Sequence, residues 1–140
     1  MREAATTNWN ETPVTHNRVL IVDDHVSFRS VARQVLMADG FLVVGEAVNG
    51  AEAIRACDEL HPDLVLLDVQ LPDIDGFAVA AVLTIRIDPP AVVLVSSRSR
   101  TDYGSRIEDC RARGYIAKAE LSGNGVRRLL LPNGVPPPGQ

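Results

Sequence analysis

Three runs of uninterrupted apolar residues constrain this chain more than anything else in it: Val19 to Val22, Leu64 to Leu67 and Ala91 to Val95. A strand with one face in water alternates apolar and polar residues. A strand covered on both faces does not, and these runs lack alternation. Each also ends in a polar group, Asp23-Asp24, Asp68 and Ser96-Ser97 respectively. Segments with helical spacing separate the runs, so short loops and right-handed crossovers are expected to build a parallel sheet with helices on both faces. The expected class is α/β, a doubly wound five-stranded parallel sheet.

The remaining elements follow from local signals. Strand one is expected over Val19 to Asp23. Phe28, Val31, Val35 and Leu36 recur at helical spacing and stop near Asp39 and Gly40. Phe41 to Ala47 reads as a second strand, and Ala51, Ala53, Ile54, Ala56, Cys57 and Leu60 as a second helix opened near Asn49-Gly50 and broken by Pro62. Leu64 to Asp68 is the third strand. It leads through a Pro72 and Gly76 loop into a third helix with Phe77, Val79, Ala80, Val82 and Leu83, ended by Pro89 and Pro90. After the fourth strand, Tyr103, Ile107 and Cys110 mark one face of a fourth helix closed by Gly114, weakened early by Gly104. Tyr115 to Ala117 is a short fifth strand, followed by an amphipathic piece with Leu121, Val126, Leu129 and Leu130.

A length of 140 residues with 46% hydrophobic content suits one domain with a full core. Residues 1–17 are largely polar and expected to form a flexible leader, in which Trp9 stands out as a large aromatic side chain. Residues 132–140, rich in Pro and Gly, are expected to be a disordered or extended tail. Fourteen basic against eighteen acidic residues give a formal charge of -4, which provides no footprint for direct nucleic-acid binding by this chain. Cys57 and Cys110 belong to no ligand cluster and read as buried thiols. With no apolar stretch long enough to span a bilayer and no apolar leader, the expectation is a cytoplasmic protein without a membrane partner.

Asp23, Asp24, Asp68, Ser96 and Lys118 all fall at or just beyond the C-terminal ends of strands. In open α/β sheets that is the edge where ligands bind. Three carboxylates brought together repel one another and form a natural divalent cation site. In this pattern the sequence resembles the receiver domain of bacterial two-component response regulators. The resemblance rests on Asp23-Asp24, on Asp68 with Leu71-Pro72 and Asp75-Gly76 behind it, on Ser96, and on Tyr115 with Lys118. It covers residues 18–131, and the stretch Gly114 to Leu121, GYIAKAEL, is similar to NarL-type receivers.

The resemblance implies a flavodoxin-like sheet in the order 2-1-3-4-5. It implies that Asp68 takes a phosphoryl group from a phosphohistidine on a sensor histidine kinase and becomes an aspartyl phosphate. Mg²⁺, or Mn²⁺ in its place, would be bound by Asp24, Asp68 and the main-chain carbonyl of Gln70, with Asp23 acting through water. Lys118 would contact the phosphoryl oxygens and Ser96 would donate its hydroxyl to them. Tyr115 would then turn inward and reshape the surface of helix four, strand five and helix five, for a downstream protein or for dimer formation. Gln70 and Arg98 would flank the path of attacking water and tune dephosphorylation. Where receivers often carry Pro after the lysine, this chain has Ala119.

Several of these residues have a plainer role open to them. Asp23 and Asp24 could cap the following helix. His16, His25 and His61 show no ligand spacing and read as solvated or structural, and Arg111, Arg113, Arg127 and Arg128 as solvated faces. Alternative functions are the receiver part of a truncated or split DNA-binding regulator, a pseudo-receiver that binds partners without phosphate, and a phosphatase of the haloacid dehalogenase type. The last needs DxDxT at the first strand, where this chain reads Asp23, Asp24, His25, Val26, Ser27. The chain is therefore expected to be a switch that catalyses its own phosphorylation and processes no metabolite.

Overall fold

The computed structural model describes residues 17–131, so the expected leader, Trp9 and the expected tail lie outside the described residues, Asn17 excepted. The chain alternates β1 (Arg18–Val22), α1 (Val26–Ala38), β2 (Leu42–Ala47), α2 (Gly50–Leu60), β3 (Leu64–Asp68), α3 (Gly76–Thr84), β4 (Ala91–Ser96), α4 (Arg106–Asp109), β5 (Gly114–Ala117) and α5 (Gly123–Leu130). All strand pairings are parallel, and the sheet order is β2-β1-β3-β4-β5. The parallel, doubly wound sheet is the one expected from the apolar runs, and its strand order is the one the resemblance implies.

The apolar runs form the middle of the sheet because each residue faces a helix layer on one side or the other. Leu20, Val22, Val65, Leu67, Val92 and Leu94 pack with Phe77, Val79, Leu83 and Ile107 on one face. Val19, Ile21, Leu64, Leu66, Val93 and Val95 pack with Ala32, Leu36 and Val126 on the other. Every sheet residue just named is at most 1% exposed, which is why none of these strands tolerates a polar alternate position. Cys57 and Cys110 are both buried.

Some local expectations are corrected. Val31 is 52% exposed, and Ala32 takes the inward position on α1 between Phe28 and Leu36. α3 ends at Thr84, ahead of Pro89, where the Thr84 hydroxyl donates back to the Ala80 carbonyl at 2.8 Å. The fourth helix is not continuous from Tyr103. A 3-10 turn spans Arg100–Asp102, Gly104 adopts φ +58, and only Arg106–Asp109 is α-helical. Gly104 stands in the left-handed region and interrupts the helix rather than merely weakening it. Gly114 begins β5, and the left-handed residue after α4 is Arg111, at φ 67.

Candidate functional site

Sheet register brings the polar strand ends together. Val22 pairs with Leu67, Asp68 with Val95, and Ser96 with Ala117. Asp23 therefore follows β1 level with Asp68, and Lys118 follows β5 one step beyond Ser96. Asp23 and Ser96 are fully buried and Asp68 is 2% exposed, while Asp24 reaches solvent. One oxygen from each of Asp23, Asp24 and Asp68, together with a ring nitrogen of His25, lie within 4.8 Å of one another.

Lys118 Nζ stands 2.6 Å from Asp23 Oδ2 and 3.3 Å from Asp68 Oδ2. It also lies 4.7 Å from the centre of the Phe28 ring, whose face favours a cation. Burial opposes a charge on Lys118, but the carboxylates of Asp23 and Asp68 outweigh it and raise its pKa. Asp68 Oδ1 accepts the Gln70 N–H at 3.1 Å. Burial and then the charge of Asp23 push the Asp68 carboxyl up to about 6, against the pull of the Gln70 N–H and Lys118. The Asp23 Oδ2 atom is buried, and apart from its ion pair with Lys118 no well-aligned donor reaches it.

Three carboxylates against one ammonium, two of them buried, fit a hard divalent cation with oxygen ligands. Helix capping does not account for the acidic pair. The N-cap of α1 is His25, and no side chain makes a capping bond there. Instead the His25 N–H donates to Asp23 Oδ1 at 2.8 Å, and His25 Nδ1 lies 3.1 Å from oxygens of both Asp23 and Asp24. His25, expected to be solvated or structural, is exposed yet stands beside the acidic cluster, and its place directly after Asp24 is the one signal of this in the sequence.

The loop behind Asp68 is held by its own acids. Asp75 caps α3 by accepting the Phe77 N–H at 2.7 Å. Asp73 accepts the N–H groups of Gly50 and Ala51 at 2.7 and 3.0 Å, which ties the loop to the start of α2 and lowers its own pKa. Gly76 lies so close to the strand end that a Cβ would stand 2.4 Å from the Asp68 carbonyl oxygen. No side chain fits there without moving the β3 end.

At the β4 end, Ser96 Oγ lies 2.6 Å from the Tyr103 hydroxyl and accepts the Arg98 N–H at 3.1 Å. The Tyr115 hydroxyl donates to the carbonyls of Ser96, at 3.3 Å, and Arg98. Residue spacing marks Tyr103 only as part of an apolar face and gives no sign of its hydroxyl contact. Gln70 and Arg98 are exposed, and among the described residues their side chains make no hydrogen bond. The chain after Lys118 forms a 3-10 turn over Lys118–Glu120.

Residues 19–128 match the family model of the response regulator receiver domain. This chain belongs to that family. The receiver is 38% identical over 122 residues to the positive alginate biosynthesis regulatory protein of Pseudomonas aeruginosa, covering 84% of this chain and 48% of that protein. It is 29% identical over 110 residues to the DNA-binding transcriptional activator EvgA of Escherichia coli, covering 79% and 54% respectively. The chain thus spans about half the length of these curated relatives. Among solved structures, the NarL receiver domain of Mycobacterium tuberculosis is 30% identical with a TM-score of 0.70, covering 84% of this chain and 95% of that one. The BeF3-activated receiver domain of Klebsiella pneumoniae RstA is 27% identical with a TM-score of 0.66, covering 81% and 96%. The family is that of two-component signalling, as the strand-end residues implied. Among the described residues no helix is long and apolar enough to cross a membrane.

Proposed function

We propose that this receiver accepts a phosphoryl group on the Asp68 carboxylate from the phosphohistidine of a sensor histidine kinase. An Asp68 oxygen forms the new O–P bond, the histidine N–P bond breaks, and the nitrogen keeps the electron pair. The observation that carries this reading is the Asp68 carboxylate, 2% exposed at the end of β3, with Lys118 Nζ 3.3 Å away and Asp23 and Asp24 beside it. Mg²⁺, or Mn²⁺, held by Asp24, Asp68 and the Gln70 carbonyl with Asp23 behind, would shield the negative oxygens of the incoming group. Lys118 supplies a fixed positive charge on the same side. The Gln70 N–H holds one Asp68 oxygen in place.

The phosphorylated form is read out through Ser96 and Tyr115, whose hydroxyl reaches the Ser96 carbonyl at 3.3 Å, and thence by the α4, β5 and α5 surface. A downstream protein or a second copy of the chain is the partner proposed for that surface. Gln70 and Arg98, both exposed at the mouth, tune loss of the phosphoryl group. In this role the chain turns over no metabolite. The half-length match to a DNA-binding transcriptional activator favours a second reading of the output, in which residues 18–131 act as the receiver of a transcriptional regulator.

Intact mass after incubation with acetyl phosphate and Mg²⁺ tests the acceptor role. One phosphoryl adduct is expected in the wild type and none in Asp68→Ala. An adduct that persists in Asp68→Ala, or none in the folded wild type, would overturn it.

A further inference from the structure

The Ser96 hydroxyl is already engaged in this form of the protein. Strand alternation places Ser96 on the face shared by Val92 and Leu94, toward the side of the sheet that carries Tyr103. There Ser96 Oγ accepts the Arg98 N–H and shares a 2.6 Å contact with the Tyr103 hydroxyl. A serine has one O–H to give and two lone pairs to fill. Tyr103 is held in place from both sides: its ring meets Phe77 edge-on at 5.3 Å and stands 6.0 Å from the Tyr115 ring. The phenol therefore presents its hydroxyl to Ser96 from a fixed position. The Arg98 backbone closes the group, since it donates its N–H to Ser96 Oγ and receives the Tyr115 hydroxyl on its carbonyl.

We infer that Tyr103 is a positioning residue that holds Ser96 in the unphosphorylated arrangement, competing with the phosphoryl oxygens for the serine hydroxyl. The inference rests on the proposed function, in which Ser96 donates to those oxygens. To do so Ser96 must turn toward Asp68 and leave Tyr103. The phenol, freed, loses its partner at the same moment as Tyr115 changes its own surroundings, so two tyrosines rather than one report the switch. The strength of the Ser96 to Tyr103 bond sets how much of the receiver rests in the inactive form. A tyrosine that only filled space would not affect that balance through its hydroxyl.

Tyr103→Phe keeps the ring and its packing and removes only the hydroxyl. With beryllofluoride and Mg²⁺ as the phosphoryl mimic, followed by amide chemical shifts, the variant is expected to bind about two- to tenfold more tightly than wild type. A second readout needs no variant of Tyr103. The Tyr103 Cζ resonance of the wild type should move on saturation with beryllofluoride, and Ser96→Ala without the mimic should move it in the same direction. Equal or weaker binding by folded Tyr103→Phe overturns the inference, as does a Tyr103 resonance that does not respond to the mimic. If the folded wild type binds no beryllofluoride, the receiver chemistry proposed for Asp68 fails as well. Binding by wild type with no effect at Tyr103 defeats the inference alone.

Discussion

The two corners of the sheet edge are built differently. The acid corner, with Asp23 and Asp68, hangs from β1 and β3, whose apolar residues are fully buried and whose following loop is fastened by Asp73, Asp75 and Gly76, and Lys118 reaches into it from the end of β5. The hydroxyl corner, with Ser96, Tyr103 and Tyr115, begins on a strand that is also buried throughout. It then passes into a 3-10 turn, a left-handed glycine and a single α-turn. One corner is fixed by packing and the other by a few hydrogen bonds and rings in edge-on and tilted contact. Reaction geometry needs the first kind of support, whereas a surface that must rearrange is drawn from less stable parts of a fold. In the proposed function, chemistry falls to the first corner and response to the second.

The contrast can be broken most severely at its foundation. Leu66→Ala removes a fully buried side chain between Asp68 and the β3 start and should cost about 2–5 kcal/mol in chemical denaturation. A loss below about 1 kcal/mol would mean that β3 is not the rigid support described. Next in size, Lys118→Ala should slow phosphorylation by acetyl phosphate by about a hundredfold while the fold survives. A rate within threefold of wild type would show that the ammonium near Asp68 does little in the reaction.

Asp68 also carries a pH signature. Its folded pKa of about 6 lies above the ordinary carboxylate value, so the folded protein binds a proton more tightly than the unfolded chain. Ionised Asp68 therefore costs stability, fully above about pH 6, and that cost fades as pH falls toward 4. Without divalent cation, Asp68→Asn should be more stable than wild type by about 1–3 kcal/mol at pH 7.5. The gain should shrink toward zero near pH 4. A gain that grew on acidification would contradict the sign.

The smallest effect sharpens the other side of the comparison. At Gly104 a Cβ would meet nothing within 4 Å, yet φ is +58. Gly104→Ala should therefore cost about 1 kcal/mol from backbone conformation alone. Equal or greater stability of the variant, measured by thermal unfolding, would indicate that the segment relaxes into the continuous helix that residue spacing implies.

The fold is legible in the sequence because burial on both faces leaves a plain mark: no alternation in Val19 to Val22, Leu64 to Leu67 or Ala91 to Val95. The acid corner is legible for the same reason, since a polar residue ending such a run must emerge at the sheet edge. Tyr103 on Ser96, Asp73 on the start of α2 and His25 between two carboxylates are not. The first two are hydrogen bonds between side chains and groups brought near by the fold, which spacing along one element does not encode. His25 escapes notice because a single histidine beside acids matches no ligand spacing. The interruption of α4 is only partly visible, because Gly104 signals cost within a helix but not whether neighbours will override it. Ala32 shows the converse error, as an alanine counts little in an apolar stripe yet fits where the sheet approaches α1.

The most direct test of this division is amide hydrogen exchange, comparing wild type with and without acetyl phosphate and Mg²⁺, and Asp68→Ala under the same conditions. Altered exchange is predicted over residues 96–117, with unchanged protection in β1 and in Leu64 to Leu67 and no response in Asp68→Ala. No change over 96–117 in phosphorylated protein, or the same change in Asp68→Ala, would contradict it.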